Sequence, residues 1–186
     1  MSVVQLADAK TYLNEVSTAL DAELQTFIDA AEAAIAQRIG PLTPAVQTSR
    51  VRGWAYTLQL PVWPVVTLTS VTPVGGTALT VTDLIVDPDS LRTVEYLQSG
   101  YFGSRWYDVV YSAGRTVSAS VNPDIYKADL ELIRHMWSTQ RGKVVGASVG
   151  ATRLVPGDVG TVPGAGYTFP ARVTELLSPY LPLGVG

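Results

Sequence analysis

Few side chains in this sequence of 186 residues are suited to chemistry. His135 is its only histidine and it has no cysteine, so a structural zinc site built from such ligands is not expected. A Ser-His-Asp unit would need a serine on a strand–turn–helix elbow of the G-x-S-x-G type. Ser148 lies between glycines in "GASVG", but its spacing departs from that motif. These residues therefore predict neither a catalytic triad nor a metal centre.

The carboxylates offer no better catalytic candidate. Asp87 and Asp89 belong to the turn-forming segment "DPDS". Asp129 lies within the apolar arc of a predicted helix, where an unpaired carboxylate is costly. We expect it to be bonded to an arginine or a backbone amide rather than to act in catalysis. The glycine-rich segment near the C-terminus lacks the Lys-Ser/Thr pair of a phosphate-binding loop. We expect no enzymatic activity and no cofactor.

The composition favours a chain covered by partners, with a compact, weakly charged domain as the alternative. Apolar residues make up 47% and charged residues only 16%, against a usual charged share of roughly 25%. The net charge is −3, and residues 1–40 hold six acids against two bases, a local −4. No basic stripe that could follow a phosphate backbone is present. No secretory signal or membrane-spanning run is recognisable, so we expect a soluble protein made inside the cell.

Residues 1–45 are predicted to form a short helix and a long one. The long helix lies in "STALDAELQTFIDAAEAAIAQRIGP" and ends at Gly40 and Pro41. Its apolar residues recur at spacings of three and four, which is typical of an amphipathic helix. They are Leu20, Leu24, Phe27, Ile28, Ala31, Ile35 and Ile39.

Residues 46–121 are predicted to form an antiparallel meander of four to six strands. Short β-branched or aromatic runs such as "VRGWAYTLQL", "VVTLTSVTPV", "TALTV" and "RWYDVVYS" alternate with turn-forming glycines, prolines and aspartates. We expect the aromatic residues mostly to pack this sheet, since a base-stacking platform would need basic residues between exposed rings. They are Trp54, Tyr56, Trp63, Tyr96, Tyr101, Trp106, Tyr107 and Tyr111.

Three segments follow the predicted sheet. Residues 122–142 form a helix whose apolar face covers a little over half of its circumference. Residues 143–168 form a Gly/Val-rich arm, for which a disordered linker, a β-hairpin and an extended arm ordered by neighbours are the alternatives. Residues 169–186 form a short helix and an apolar tail. Together the parts predict a single α+β domain: a small helical bundle core with an antiparallel β-sheet insertion, a long arm and a short C-terminal helix.

The order of these parts resembles the head–tail connector (adaptor) proteins of long-tailed bacteriophages. "LADAKTYLNE…LDAELQTFIDAAEAAIAQRIG" is similar to the family's short helix and long alanine-rich helix. "LPVWPVVTLTSV" resembles the strand that begins its β-insertion, and "VVYSAGRTVSASVNPDIYKADLELIRHMW" the strand, turn and helix that close it. "FPARVTELLSPY" looks like a terminal helix found in some members.

The resemblance implies a structural virion protein without enzymatic activity. Family members form a homo-oligomeric ring, typically of twelve subunits, that docks beneath the portal protein and meets a stopper or tail-end protein. DNA passes through the lumen without specific binding. The expected location is the virion neck, after assembly in the host cytoplasm. The alternatives are another neck ring, such as a stopper or tail terminator, and a cellular nucleic-acid-binding or small enzyme domain.

Two apolar sets are the predicted assembly contacts. The C-terminal set holds too many apolar groups for a free tail, and we expect it to dock on the portal or a neighbouring subunit. Its members are Val173, Leu176, Leu177, Tyr180, Leu181 and Leu183. The arm set is expected to be covered by neighbours, and consists of Val144, Val145, Val149, Leu154, Val155, Val159 and Val162.

Overall fold

The structure is a computed structural model that describes residues 2–140 and 169–181. The chain divides into two compact units, Met1–Glu32 with Asp124–Ser178 and Ala33–Pro123 with Pro179–Gly186. The helices of the described residues are α1 (Leu6–Leu13), α2 (Asp21–Ile39), α3 (Pro123–Gln140) and α4 (Ala171–Leu177). The strands are β1 (Ala45–Trp54), β2 (Thr57–Gln59), β3 (Val65–Pro73), β4 (Leu84–Val86), β5 (Thr93–Tyr96) and β6 (Trp106–Ala113). The α+β class predicted from the sequence is confirmed.

The predicted apolar stripe of α2 is confirmed. Every member except the half-buried Leu20 is buried. The helix ends as expected at Gly40, whose N–H donates to the carbonyl of Ala36 at 3.0 Å. Gly40 has a φ of 86°, the left-handed conformation that commonly follows a helix and that glycine adopts without strain.

Side-chain contacts join the helices of the first unit. Phe27 on α2 meets Trp137 on α3 edge-to-face, with ring centroids 5.7 Å apart. The hydroxyl of Tyr126 on α3 donates to Asp8 Oδ2 on α1 at 2.9 Å. None of the described helices is long and apolar enough to cross a bilayer.

The second unit contains a six-stranded antiparallel sheet in the order β3-β6-β1-β2-β5-β4. The long strand β1 joins its two halves, because Ala45 to Arg52 pair with β6 while Gly53 and Trp54 pair with β2. One cluster of buried side chains forms the core of this unit. It consists of Val51, Leu58, Leu60, Val65, Val71, Leu84, Val94, Phe102, Tyr107, Val109, Tyr111 and Ala113.

The predicted antiparallel sheet of four to six strands is confirmed, but the meander order predicted for its strands is wrong. The last strand, β6, inserts between β3 and β1, so strands that neighbour each other in sequence are not always paired. The run "TALTV" at 77–81 forms no strand, and a 3-10 helix occupies Val81–Asp83. The run "VRGWAYTLQL" folds back on itself as β1 and β2, with a turn at Ala55 and Tyr56 in which Ala55 has a φ of 51°.

Candidate assembly surfaces

The described residues that were considered for catalysis or metal binding do not form a common site. His135 is half-buried on α3 and lines a shallow, open depression with Glu131 and Arg172, whose side chains approach to 3.7 Å. Asp87 accepts hydrogen bonds from the N–H groups of its own turn. In the described residues no group of three or more His, Asp or Glu side chains is placed to hold a metal ion. Ser148 lies outside the described residues.

Asp129 is fully buried on α3, and the prediction that it is bonded to a partner is wrong. Neither carboxyl oxygen has a hydrogen-bond partner among the described residues. Burial, and next the charge of Glu32, raises the pKa of Asp129 to about 8. Glu32 itself is engaged, since its Oε1 accepts from Ser2 Oγ at 2.6 Å and from the N–H groups of Val3 and Val4. The protonated, uncharged form of Asp129 is therefore favoured in the folded chain well above the ordinary pKa of a carboxyl group.

The predicted C-terminal contact is narrower than the sequence suggests. Val173 and Leu177 are buried within the chain, so they stabilise its own fold. Leu176 on α4 is half-buried and keeps part of its side chain accessible. Val173 and Leu177 are buried together because their spacing of four residues places both side chains on the same side of α4.

In the second unit, Arg115 contacts the chain just beyond α4. Arg115 Nη2 donates to the carbonyl oxygen of Tyr180 at 3.4 Å, and the guanidinium lies 5.2 Å from the centre of the Tyr180 ring. Its Nε donates to the carbonyl of Ile39, the last residue of α2, at 3.3 Å. Burial lowers the pKa of Arg115 from its ordinary value. Tyr180 is half-buried and Leu181 exposed, while Leu183 lies outside the described residues.

All members of the predicted arm contact lie outside the described residues. They are Val144, Val145, Val149, Leu154, Val155, Val159 and Val162. The expectation that neighbours cover them stays a prediction.

The aromatic residues of the sheet divide into two groups, so the expectation that most of them pack the sheet is wrong. Tyr107 and Tyr111 are buried, and Trp63 and Tyr96 are half-buried. The other four side chains are exposed at one end of the sheet, beside the β1–β2 turn and the β5–β6 connection. We call them, with Arg52 and Arg105, the aromatic tip; the four rings are Trp54, Tyr56, Tyr101 and Trp106.

Sequence reasoning missed the aromatic tip, although a signal for part of it is present. Along a strand alternate residues share a face, and Arg50, Arg52 and Trp54 follow that spacing in β1. Two arginines at alternate positions indicate a solvent-facing side, so the same periodicity places Trp54 there. Trp106 lies opposite Arg52 in the pairing of β1 with β6, which only the strand order could reveal.

Comparisons with known proteins give matches in structure alone. No protein-family model matches the sequence, and no curated protein matches it either.

Three solved structures contain a chain of similar fold, each 20% identical to this one. The neck of an empty gene transfer agent particle, computed with C6 symmetry, matches with a TM-score of 0.62 over 98% of this chain and 91% of that one. The virion of the native particle gives 0.60 over the same shares. The neck of the native particle, computed with C12 symmetry, gives 0.57 over 100% and 96%. The likeness establishes a shared fold along nearly the whole chain.

Proposed function

We propose that this chain is a structural neck protein of a phage-like particle and forms the head-to-tail adaptor ring. The observation that carries the proposal is its fold, which follows a neck chain of the gene transfer agent particle over 98% of its length. In this role the ring docks under the portal and continues the DNA tunnel towards the tail. The role requires no catalysis, so the chain acts as a virion component rather than as an enzyme.

We further infer a ring of twelve subunits. The similar chains belong to necks computed with C6 and C12 symmetry, and a dodecamer is compatible with both. Its helices then form the core of the subunit, and the sheet is an insertion into that core. Assembly takes place in the host cytoplasm, before the particle is complete.

The charge of the chain suits a conduit for DNA. Lysine and arginine side chains that neutralise phosphates hold DNA in place, whereas this chain carries a net charge of −3. Twelve copies at −3 each would give a ring of −36. Such a ring lets DNA pass without specific binding.

We propose that the accessible part of the C-terminal set contacts the portal or an adjacent subunit. Leu176, Tyr180 and Leu181 keep accessible surface. Deleting residues 170–186 would also remove the buried Val173 and Leu177, so a loss of binding could reflect lost folding. The sharper test is Leu176→Ser with Leu181→Ser, which should weaken portal binding while the melting temperature stays close to that of the wild type. Unchanged portal binding would refute this contact.

The arm, residues 143–168, is proposed to lie on neighbouring subunits. Burial in an interface or addition to a neighbour's strand would slow the exchange of its amide hydrogens. Hydrogen exchange of the arm should therefore be slower in the assembled neck than in the isolated chain. Equal exchange in both states would favour the linker alternative.

Electron microscopy of neck complexes tests the function as a whole. The chain should appear as a twelve-fold ring directly below the portal. A position further along the axis, against the stopper or at the end of the tail, would favour those alternatives. A chain that is absent from particles and binds DNA in a salt-dependent manner would favour a cellular nucleic-acid-binding domain.

A further inference from the structure

One side chain of the second unit, that of Arg115, bonds both to the end of α2 and to the chain that follows α4. Its Nε donates to the carbonyl oxygen of Ile39 at 3.3 Å, and its Nη2 donates to that of Tyr180 at 3.4 Å. Ile39 is the last residue of α2, and the carbonyl oxygens at the end of a helix have no partner within it. Arg115 therefore joins two segments that are far apart in the sequence.

Arg115 is held in place by contacts that do not involve the C-terminal residues. Its backbone N–H donates to the carbonyl oxygen of Pro41 at 2.8 Å. Its guanidinium lies at the C-terminal end of α2, the negative end of the helix dipole, where a positive charge is favourable. The side chain is also half-buried, which limits its freedom. The guanidinium is therefore preorganised to bind the segment that follows α4.

The hydrogen bond to Tyr180 sets the direction in which the chain continues. The carbonyl group of Tyr180 lies in one planar peptide unit with the nitrogen and Cα of Leu181. Holding that carbonyl oxygen therefore also orients the start of Leu181. The guanidinium of Arg115 lies 5.2 Å from the centre of the Tyr180 ring, within the range of a cation–π attraction. Arg115 thus holds Tyr180 by its backbone and by its ring.

The residues that follow Tyr180, which we call the tail (residues 181–186), have a sequence suited to an apolar partner. Leu181 is 37% exposed, and the sequence continues with apolar residues at alternate positions, Leu183 and Val185. Alternate side chains of an extended chain lie on the same side. An extended segment with this pattern would present one apolar face, which an apolar groove of a partner could cover.

We propose that Arg115 is a positioning residue for the contact between the tail and the portal. It does not touch the portal itself, but it holds Tyr180 so that the tail leaves each subunit at one place and in one direction. A protein whose binding-competent state is populated only in part binds more weakly in proportion to that fraction. The inference rests on the proposed contact of the C-terminal set with the portal, and it names the residue on which that contact depends.

Binding of the full chain to isolated portal rings is the first test. Arg115→Met removes the charge and both side-chain hydrogen bonds but keeps an unbranched apolar side chain. The matched control is Arg92→Met in the same unit. Arg92 is also half-buried, its guanidinium lies 5.3 Å from the centre of the Trp63 ring, and its Nε donates to the carbonyl oxygen of Leu60 at 2.9 Å. Arg115→Met should raise the apparent Kd about tenfold or more, whereas Arg92→Met should leave it nearly unchanged.

A double-mutant cycle is the second test, and it distinguishes positioning from a general loss of stability. Leu181→Ser removes the apolar side chain that directly follows the anchored carbonyl group. If Arg115 acts through the tail, the loss of affinity in the double variant is smaller than the product of the two single losses, because the two residues are coupled. Losses that multiply fully would overturn the inference. Arg115→Lys keeps the charge but lacks the planar fork, so it should also bind weakly, and it replaces Arg115→Met in both tests if that variant does not fold.

The same measurements separate this inference from the proposed function. If the wild-type chain does not bind portal rings, the proposed contact fails, and the inference fails with it. If the wild type binds and both arginine variants bind equally well, only the inference is wrong. Equal losses of affinity in Arg115→Met and Arg92→Met would also overturn it, because they would reflect a general loss of stability.

Discussion

At the residue scale, Asp129 is expected to make stability depend on pH, because it is buried and its carboxyl oxygens have no hydrogen-bond partner among residues 2–140 and 169–181. The pKa of Asp129 is about 8 in the folded chain, whereas an Asp in an unfolded chain has a pKa of about 3.9. Between these values the folded state binds more protons, so the free energy of unfolding falls as pH rises. The contribution is complete below about pH 4 and is lost once the pH has risen through about 8.

The first prediction is that Asp129→Leu stabilises the isolated chain at pH 7.5 by roughly 1–3 kcal/mol, because an unpaired polar group leaves the interior. The variant should also lose the fall in stability between pH 5 and pH 9. Urea unfolding at three pH values measures both effects. Asp29→Asn, at an exposed position of α2, is the control and should follow the wild-type profile. If the free energy of unfolding of Asp129→Leu still falls steeply between pH 5 and pH 9, another group causes the fall.

Two glycines with similar φ values allow the cost of backbone strain to be measured separately from the cost of steric overlap. Gly40 and Gly75 have φ values of 86° and 78°, where a side chain adds about 1–2 kcal/mol of strain. A Cβ at Gly40 would also overlap the carbonyl oxygen of Trp63, whereas one at Gly75 would meet nothing within 4 Å.

The second prediction follows from this difference. Gly75→Ala should cost only the strain, about 1–2 kcal/mol. Gly40→Ala must also displace backbone, so its loss in the free energy of unfolding should exceed that of Gly75→Ala severalfold. Thermal unfolding of the two variants gives the comparison. Equal losses would mean that the contact with Trp63 relaxes freely.

At the scale of elements, the half-buried Arg115 is expected to hold the segment after α4 in place. It bonds to backbone carbonyls at Ile39 and Tyr180 at the same time. Hydrogen bonds to charged groups contribute about 1.5–3 kcal/mol each, and removing a donor leaves both carbonyls with one partner fewer.

The third prediction is that Arg115→Met speeds amide exchange at Tyr180 and Leu181 and leaves the central strands of the sheet protected. Arg115→Lys keeps the charge but lacks the planar fork that reaches two carbonyls, so it should restore little of the protection. Hydrogen exchange read by mass spectrometry resolves the segment. Unchanged exchange in Arg115→Met would assign the order of this segment to other contacts.

Local patterns predicted the helices better than the sheet. The apolar spacing of α2, its end at Gly40 and the start of α3 at Pro123 depend on neighbouring residues, and all three are confirmed. The β1–β2 turn was missed because Ala55 adopts a positive φ without a glycine, asparagine or aspartate to indicate it. The place of β6 between β3 and β1 depends on long-range pairing, which no local pattern records.

The candidate surfaces show the same limit. An apolar residue on a short helix can face its own core or a partner, and periodicity alone cannot decide between them. Val173 and Leu177 proved to be buried within the chain, whereas Trp54 and Tyr56 proved to be exposed. The first pair was predicted as an interface and the second as packing, because burial depends on elements distant in sequence.

At the scale of the whole molecule, the net charge of the chain is expected to determine its non-specific affinity for DNA. A protein binds duplex DNA without sequence specificity by releasing counterions from the phosphates, so its affinity falls steeply as salt rises. This chain has 13 basic and 16 acidic residues, a net charge of −3. A ring of such chains would be negatively charged as a whole, so repulsion from the phosphates should leave DNA free to move.

The fourth prediction is that the isolated chain shows no measurable binding to a short duplex at 50 mM salt, followed by fluorescence anisotropy up to about 10⁻⁴ M protein, the weak end of ordinary non-specific binding. Replacing the exposed Asp29, Asp89 and Glu95 by lysine changes the charge by six, from −3 to +3. This variant is the positive control, and weak binding that disappears at 200 mM salt should emerge in it. The same salt-dependent binding in the wild type would contradict a conduit and support a nucleic-acid-binding domain, because a ring that holds phosphates would slow the passage of DNA.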